Sequence, residues 1–339
     1  MEREIDVDIR YIETKRKNAA FHFSVEEYMM HNYNFDKPLL MIWQTDKCVM
    51  LGCNQIAEAE IDIGFANCEK IQITRRSSGG GTIYTDLGTL LYTMIQPHST
   101  GENSQEVAKS TIANIIVDAL NCMGIPAKPE GRNDILVNGK KVSGLAQYTR
   151  NEMICTHGSL LYDTNLETLT RVLQVDGDKI LSKAIRSVRS RVANLKEFIE
   201  NPGSTQFFWE LLKQKLFKSR ELHEYKLKEH DLSEIDKIFQ KKYTNPSWIF
   251  GRTPKFSFHN SKRFAGGKVE VFLDVDRGLV TSCNIRGDFL GTIPINSLEQ
   301  IFENKLFQCQ VFRKALSSVS IQPYLGKITC EELLTCFFE

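Results

Sequence analysis

The chain lacks any Cys-x-x-Cys pair, any uninterrupted apolar run of about 18 residues, any internal repeat and any surplus of one charge. Each absence removes a class of protein. Nine cysteines are present (Cys48, Cys53, Cys68, Cys122, Cys155, Cys283, Cys309, Cys330 and Cys336), but they are scattered and odd in number. That pattern excludes a zinc ribbon or thioredoxin-type motif and disfavours a disulfide framework, so reduced thiols in a cytosol are expected. The opening Met1 to Asp8 is acidic and has no apolar stretch, which predicts no signal peptide. With no membrane span either, the expectation is a soluble, cytoplasmic protein. Lys+Arg 43 against Asp+Glu 42 leaves a formal charge of +1, so global charge points to no nucleic acid and no membrane partner.

What is present is an ordinary globular composition, 42% hydrophobic and 25% charged over 339 residues, enough for about two domains. Ile5 to Tyr11 alternate as a half-buried strand, and Ala20 to Met29 recur at helical spacing with Glu26 and Glu27 between the apolar positions. Leu39–Trp43 and Cys48–Leu51 read as strands, and Lys70–Thr74 and Thr82–Ile95 as strands around a glycine loop. Ser104 caps a helix with Ala108, Ile112, Ile115, Ala119 and Met123 on one face. Cys122 falls within this pattern and is expected buried. Strand patterns return at Ile135–Val137, Lys141–Tyr148 and Cys155–Tyr162, followed by helices at Leu166–Leu173, Gln206–Phe217 and Ser233–Tyr243. Without regular βαβ alternation the fold class is α+β. Asn245-Pro246 marks a seam, giving domains of 1–245 and 246–339. The second is a small α/β unit with strands at Gly267–Val275 and Leu279–Ile285.

Three stretches carry chemistry-bearing residues. In Arg75-Arg-Ser-Ser-Gly-Gly-Gly-Thr-Ile-Tyr-Thr-Asp86, three glycines between strands let backbone N–H groups approach a ligand, and Arg76 offers a positive fork for carboxylate or phosphate oxygens. A flexible hairpin loop with solvated arginines is the plainer reading. It is neither a Walker loop nor a dinucleotide fingerprint. In Gly131 to Gly144, Asn133 and Asp134 precede a strand, Asn138-Gly139 makes a tight turn, and Lys141 opens the return strand. A lysine there can neutralise an α-phosphate or a developing acyl oxyanion, or simply be solvated. His157 in His-Gly-Ser-Leu-Leu161 is a structural or a catalytic histidine, and Arg186, Arg189 and Arg191 make a local basic cluster, either a solvated face or a landing site for phosphate or an acidic partner.

Taken in order, Leu51-Gly-Cys-Asn-Gln55, Arg75–Asp86, Gly131–Gly144, His157–Leu161 and Ser187-Val-Arg-Ser-Arg-Val-Ala-Asn-Leu195 resemble the lipoate–protein ligase A family. Phe250-Gly251 and Phe256-Ser257 resemble the family's entry into its accessory domain. The resemblance implies a mixed-sheet catalytic domain related to biotin ligases and class II aminoacyl-tRNA synthetases, followed by a small accessory domain. It implies ATP and Mg2+ as cofactors and lipoate as substrate, with lipoyl-AMP as intermediate. The acceptor is then a lysine on a lipoyl domain of a 2-oxoacid dehydrogenase acyltransferase or on a glycine cleavage H protein. Carried over by position, Lys141 is the key lysine. Gly79, Gly80, Gly81, Thr82, Ile83, Tyr84, Asn133, Asp134 and His157 face the adenylate, with Asp134 the candidate Mg2+ ligand. Trp43, Arg76, Gly81, Ser143 and Gly144 line the lipoyl group with Lys141.

The sequence departs from the family pattern at Cys53, Ile56, Thr85 and Thr89, which predicts altered polar contacts around the acyl and adenylate pocket. Two rival readings follow. A cysteine-type octanoyl or lipoyl transferase needs a nucleophilic cysteine shortly before Lys141, whereas no cysteine lies between Cys122 and Cys155. A non-catalytic paralogue would bind lipoate or a carrier without turning over.

Overall fold

A computed structural model describes residues 9–32, 37–98, 104–131, 133–150, 152–173, 188, 190–217, 223–250, 258–276 and 278–338. Strands are numbered in chain order: β1 Arg10–Glu13, β2 Leu39–Trp43, β3 Cys48–Leu51, β4 Gln72–Arg75, β5 Ile83–Thr85, β6 Thr89–Pro97, β7 Ala127–Glu130, β8 Asp134–Val137, β9 Lys140–Arg150, β10 Met153–Leu161, β11 His223–Glu224, β12 Phe258–Phe264, β13 Gly267–Asp276 and β14 Leu279–Gly287. The expected positions Ile5 and Val7 lie outside the described residues.

Eight strands form one sheet in the order β11-β1-β2-β6-β10-β9-β8-β7. β1 runs parallel to β2 and β11, and the other neighbours are antiparallel, so the fold is a mixed-sheet α+β architecture. The central strand β6 shows why both faces are covered. Leu90, Tyr92 and Met94 join a core with Ile112 and Ile116 of the Ser104–Asn121 helix and Phe208 and Leu212 of the Thr205–Leu216 helix. The alternate residues Leu91 and Ile95 pack with Phe21, Phe23 and Met29 of the Ala19–Asn32 helix. A strand buried from Thr89 to Ile95 and apolar at most of those positions is the signature of a sheet covered on both sides.

A three-stranded sheet, β4-β3-β5, stands beside this layer, and the glycine loop joins β4 to β5. The single run expected over Thr82–Ile95 is divided into β5 and β6 by a turn where Gly88 N–H and Thr89 Oγ1 bond to Asp86. Two strands lack an apolar signal. β7 contains Pro129, tolerable because β7 is the outermost strand, and β12 turns the polar Asn260 and Lys262 inward between Phe258 and Phe264.

β12, β13 and β14 form an antiparallel sheet whose core is drawn wholly from residues 258–338. This C-terminal part touches the rest at a few backbone points: Gly80 N–H donates to Phe289 O (3.1 Å), Gly287 N–H to Asn54 O (3.0 Å) and Thr149 N–H to Thr292 O (2.8 Å). The short helix Pro246–Ile249 leans on β4, where Trp248 Nε1 donates to Arg75 O at 2.9 Å. Among the described residues, no helix is long and apolar enough to cross a membrane.

Candidate functional site

The hairpin of β8 and β9 positions Lys141. Asn138 and Gly139 both take positive φ (49° and 77°), the conformation that a two-residue hairpin turn needs. The register then slips, pairing Ile135 with Ser143 but Leu136 with Lys141, so Val142 is an extra residue. Such a bulge re-aims the neighbouring side chain. Lys141 Nζ lies 2.8 Å from the Asp134 carboxylate, and the lysine side chain keeps 39% of its surface exposed. It passes over Gly144, where an added Cβ would sit 3.1 Å from both Cε and Nζ. Asn133 locks the base of the hairpin, its amide donating to Leu145 O at 2.8 Å.

The glycine loop is held from inside by Arg76, only 4% exposed. Its guanidinium donates to Ser78 Oγ (3.0 Å), Met50 O (2.9 Å), Gly79 O (2.8 Å) and Gly81 O (2.7 Å). The fork expected to grip a ligand is therefore largely committed to the loop's own carbonyls. Burial pushes its pKa down to about 10, still a cation at neutral pH. Gly80 has φ +90°, a backbone shape that favours glycine, and an added Cβ would also push on Leu290 Cδ2 at 2.9 Å. Gly81 faces open space, where its backbone is approachable.

Beside the loop, His157 completes a buried chain. Ser78 Oγ lies 2.6 Å from Nε2, and Nδ1 lies 3.0 Å from Glu26 Oε1. Arg76 already donates to the Ser78 oxygen, and the hydroxyl donates to Nε2 at 2.6 Å, which assigns the ring proton to Nδ1 and hence to Glu26. Thr93 donates to the same Glu26 oxygen (2.7 Å), and Trp43 Nε1 donates to Thr93 (3.0 Å). Both ring nitrogens of His157 are thus engaged within the protein.

These elements enclose a cavity of about 270 Å³. Gly80, Gly81, Thr82, Ile83, Tyr84, Arg76, Asn133, Lys141, Ser143, Gly144, His157 and Trp43 all line it. Of the residues singled out in the sequence, Gly79 and Asp134 do not; Gly79 abuts Phe289, and Asp134 reaches the cavity only through Lys141. One part of the wall is polar, with the loop backbone, Lys141 and Asn133. The remainder is apolar, built from Trp43, Phe23, Met50, Leu91, Leu161 and Leu169. An elongated acid with an apolar tail and an activated head suits that division.

Residues 18–217 match the lipoyl protein ligase A/B catalytic domain, and residues 253–337 match the bacterial lipoate protein ligase C-terminus. The lipoate-protein ligase LplJ of Bacillus subtilis is 33% identical over 335 residues, covering 98% of this chain and 99% of that one. The chain belongs to the lipoate–protein ligase family.

Lipoate–protein ligase 1 of Staphylococcus aureus is 32% identical, covering 94% of this chain and 96% of that protein. Among solved structures, P. falciparum LipL1 in complex with lipoate aligns with a TM-score of 0.79 at 24% identity, over 96% of this chain and 97% of that one, a likeness of fold. Lipoate-protein ligase A bound with ATP aligns with a TM-score of 0.62 at 25% identity, over 73% of this chain and 99% of that chain.

The positions at which this ligase-family chain departs from the expected pattern sit off the cavity wall. Thr85 is buried and shares a 2.7 Å hydroxyl bond with Thr45, and Thr89 does the same with Thr164. Cys53 is fixed by its backbone N–H to Ser78 O at 2.9 Å, and burial raises its thiol pKa. Thr85 and Thr89 are accommodated by pairing, and none of Cys53, Ile56, Thr85 and Thr89 lines the cavity.

Several wall residues were not visible in the sequence. Leu290 comes from the C-terminal part with no local signal, whereas Ser159 and Leu161 belong to the His157 motif and were findable there. Glu26 and Glu27 are the clearest missed clue, two acids inside a helix whose residues Ala19–Met30 are all buried. Cys122 was expected buried but is exposed, because the helix ends at Asn121 and Cys122 lies in the following turn. Arg186 and Arg189 of the basic cluster lie outside the described residues, and Arg191 is exposed.

Proposed function

We propose that the protein is an ATP-dependent lipoate–protein ligase that makes lipoyl-AMP and transfers the lipoyl group to a lysine of a lipoyl domain or glycine cleavage H-type protein. The observation that carries this reading is the convergence of Gly80, Gly81 and Lys141 on one cavity with an apolar end. The acyl tail lies against Trp43 and Leu91, and the carboxylate attacks the α-phosphorus of ATP, releasing pyrophosphate. Loop N–H groups and Lys141 offset the phosphate charge, and the same ammonium polarises the acyl carbonyl. The acceptor amine then attacks that carbonyl, forming the amide and expelling AMP.

Asp134, the carboxylate beside Lys141, would be the residue to hold a Mg2+ ion, which commonly keeps water among its ligands and would supply positive charge against the ATP phosphates. Asp134 otherwise holds the Lys141 ammonium in place between turnovers. We also assign residues 1–245 to the catalytic unit and 246–339 to an accessory unit, supported by the separate core of residues 258–338. The reaction is placed in the cytoplasm.

The transferase alternative finds no support in the cavity, which no cysteine lines among the described residues. The test is pyrophosphate release from protein, ATP, Mg2+ and lipoate, together with the mass of a lipoyl domain added to the mixture. A carrier gaining one lipoyl group supports the reading. Lipoate binding without pyrophosphate would make the chain a binding paralogue, and transfer from an acyl carrier without ATP would make it a transferase.

A further inference from the structure

Ser78 is tied through His157 to Glu26, and its neighbour Ser77 is tied in parallel to Glu27, the next residue of the same helix. Tyr243 donates to Glu27 Oε2 (2.8 Å), and the Ser77 hydroxyl lies 2.8 Å from the Tyr243 oxygen. Lys242 donates to both Glu27 Oε2 (2.5 Å) and Ser77 Oγ (3.0 Å). Every polar hydrogen in the ring has one consistent direction: Lys242 to Ser77, Ser77 to Tyr243, and Tyr243 to Glu27. Arg150 donates to the other Glu27 oxygen at 2.7 Å, so two cations share this one carboxylate.

Lys242 and Tyr243 end a five-residue π-helical turn, Phe239–Tyr243, that continues the Glu229–Ile238 helix. The wider turn is uncommon and recurs at functional sites. From it the chain also grips the strand before the glycines, through Thr74 Oγ1 to Tyr243 O (3.4 Å), Arg75 Nε to Trp248 O (3.0 Å) and Ile249 O (2.8 Å), and Trp248 Nε1 to Arg75 O (2.9 Å). None of these residues lines the cavity.

We propose that Lys242 and Tyr243 are positioning residues that hold Ser77 against Glu27 and so fix the glycine loop in its nucleotide-binding shape. The inference rests on the adenylating reading for its kinetic consequence, but the loop's rigidity can be measured without it. At the apolar end of the cavity Trp43, Met50, Leu91, Leu161 and Leu169 come from other elements, while Phe23 shares the Glu27 helix and meets the Tyr243 ring at 5.8 Å between centroids. With that ring kept in every variant, losing the polar clasp weakens ATP binding and spares the acyl acid.

The experiment compares Lys242→Met, Tyr243→Phe and Lys242→Arg with the parent protein. In hydrogen exchange without substrates, the peptide covering Ser77–Tyr84 exchanges faster in Lys242→Met and Tyr243→Phe, while the core strand Met153–Leu161 is unchanged. Lys242→Arg, which keeps the charge and the donors, behaves as the parent. In pyrophosphate release, KM for ATP rises about tenfold in Lys242→Met, as expected for losing a charged hydrogen bond, with KM for lipoate unchanged. Should Lys242→Met fail to fold, Tyr243→Phe keeps the packing and carries the same measurements. Unaltered loop exchange, equal acceleration of loop and core, or a matching rise in both KM values overturns the proposal. A parent protein that releases no pyrophosphate overturns the adenylating reading alone and leaves the exchange result standing.

Discussion

The two walls that meet at the cavity are built on opposite principles. On the glycine-loop side, Arg76 is buried and spends its donors on Ser78 and three backbone carbonyls. On the hairpin side, Lys141 is 39% exposed and has one carboxylate partner, Asp134. One cation is part of the scaffold, and the other is free to change partner. The lesson is that cationic residues beside a ligand site divide by the state of their hydrogen bonds: a saturated guanidinium shapes the site, and a singly paired ammonium acts in it.

The sharpest way to break this contrast is Arg76→Met. It takes this donor from Met50 O, Gly79 O and Gly81 O, and leaving a buried acceptor unpaired costs about 1–3 kcal/mol. Urea unfolding is expected to show that loss of stability. An unfolding midpoint equal to that of the parent would show that the loop stands without Arg76.

Lys141→Ala should do the converse. A partly exposed ion pair contributes little to folding, so the unfolding curve stays in place. Loss of the charge that stabilises the transition state lowers kcat by roughly 10²–10³-fold. Carrier modification followed by mass, beside a thermal melt, measures both. A parent-like rate would remove Lys141 from the mechanism.

This contrast also explains what was legible in the residues and what was not. The Asn138-Gly139 turn, the glycine triplet and Lys141 are local signals, and Gly80, Gly81 and Lys141 line one cavity while Gly79 does not. The two faces of β6 follow from Leu90, Leu91, Tyr92, Met94 and Ile95, a run interrupted at Thr93 alone. Arg76 could be recognised as important but not as saturated, because its acceptors are backbone carbonyls from Met50 to Gly81 that carry no sequence mark. Leu290 and the Ser77–Lys242 contact join residues far apart in the chain, and nothing local announces them. The threonine pairs 45–85 and 89–164 have the same character: each side looks like an isolated departure until the fold brings its partner within 2.7 Å.

The smallest expected effect separates the walls most finely. Gly144 is not at positive φ, so alanine fits its backbone without strain and should leave stability unchanged or raise it by about 0.4–1 kcal/mol through a less flexible unfolded chain. Yet the new methyl would sit 3.1 Å from Lys141 Cε and Nζ, tighter than ordinary contact, and the flexible lysine end is what gives way. Gly144→Ala is therefore expected to be at least as stable as the parent but slower, with kcat lowered by up to about tenfold, since small misplacements of a catalytic group are costly. Differential scanning calorimetry and pyrophosphate release on one preparation test both halves. Full activity with normal stability would mean that the ammonium's resting position over Gly144 has no bearing on the chemistry, and the division between a fixed and a working cation would lose its geometric basis.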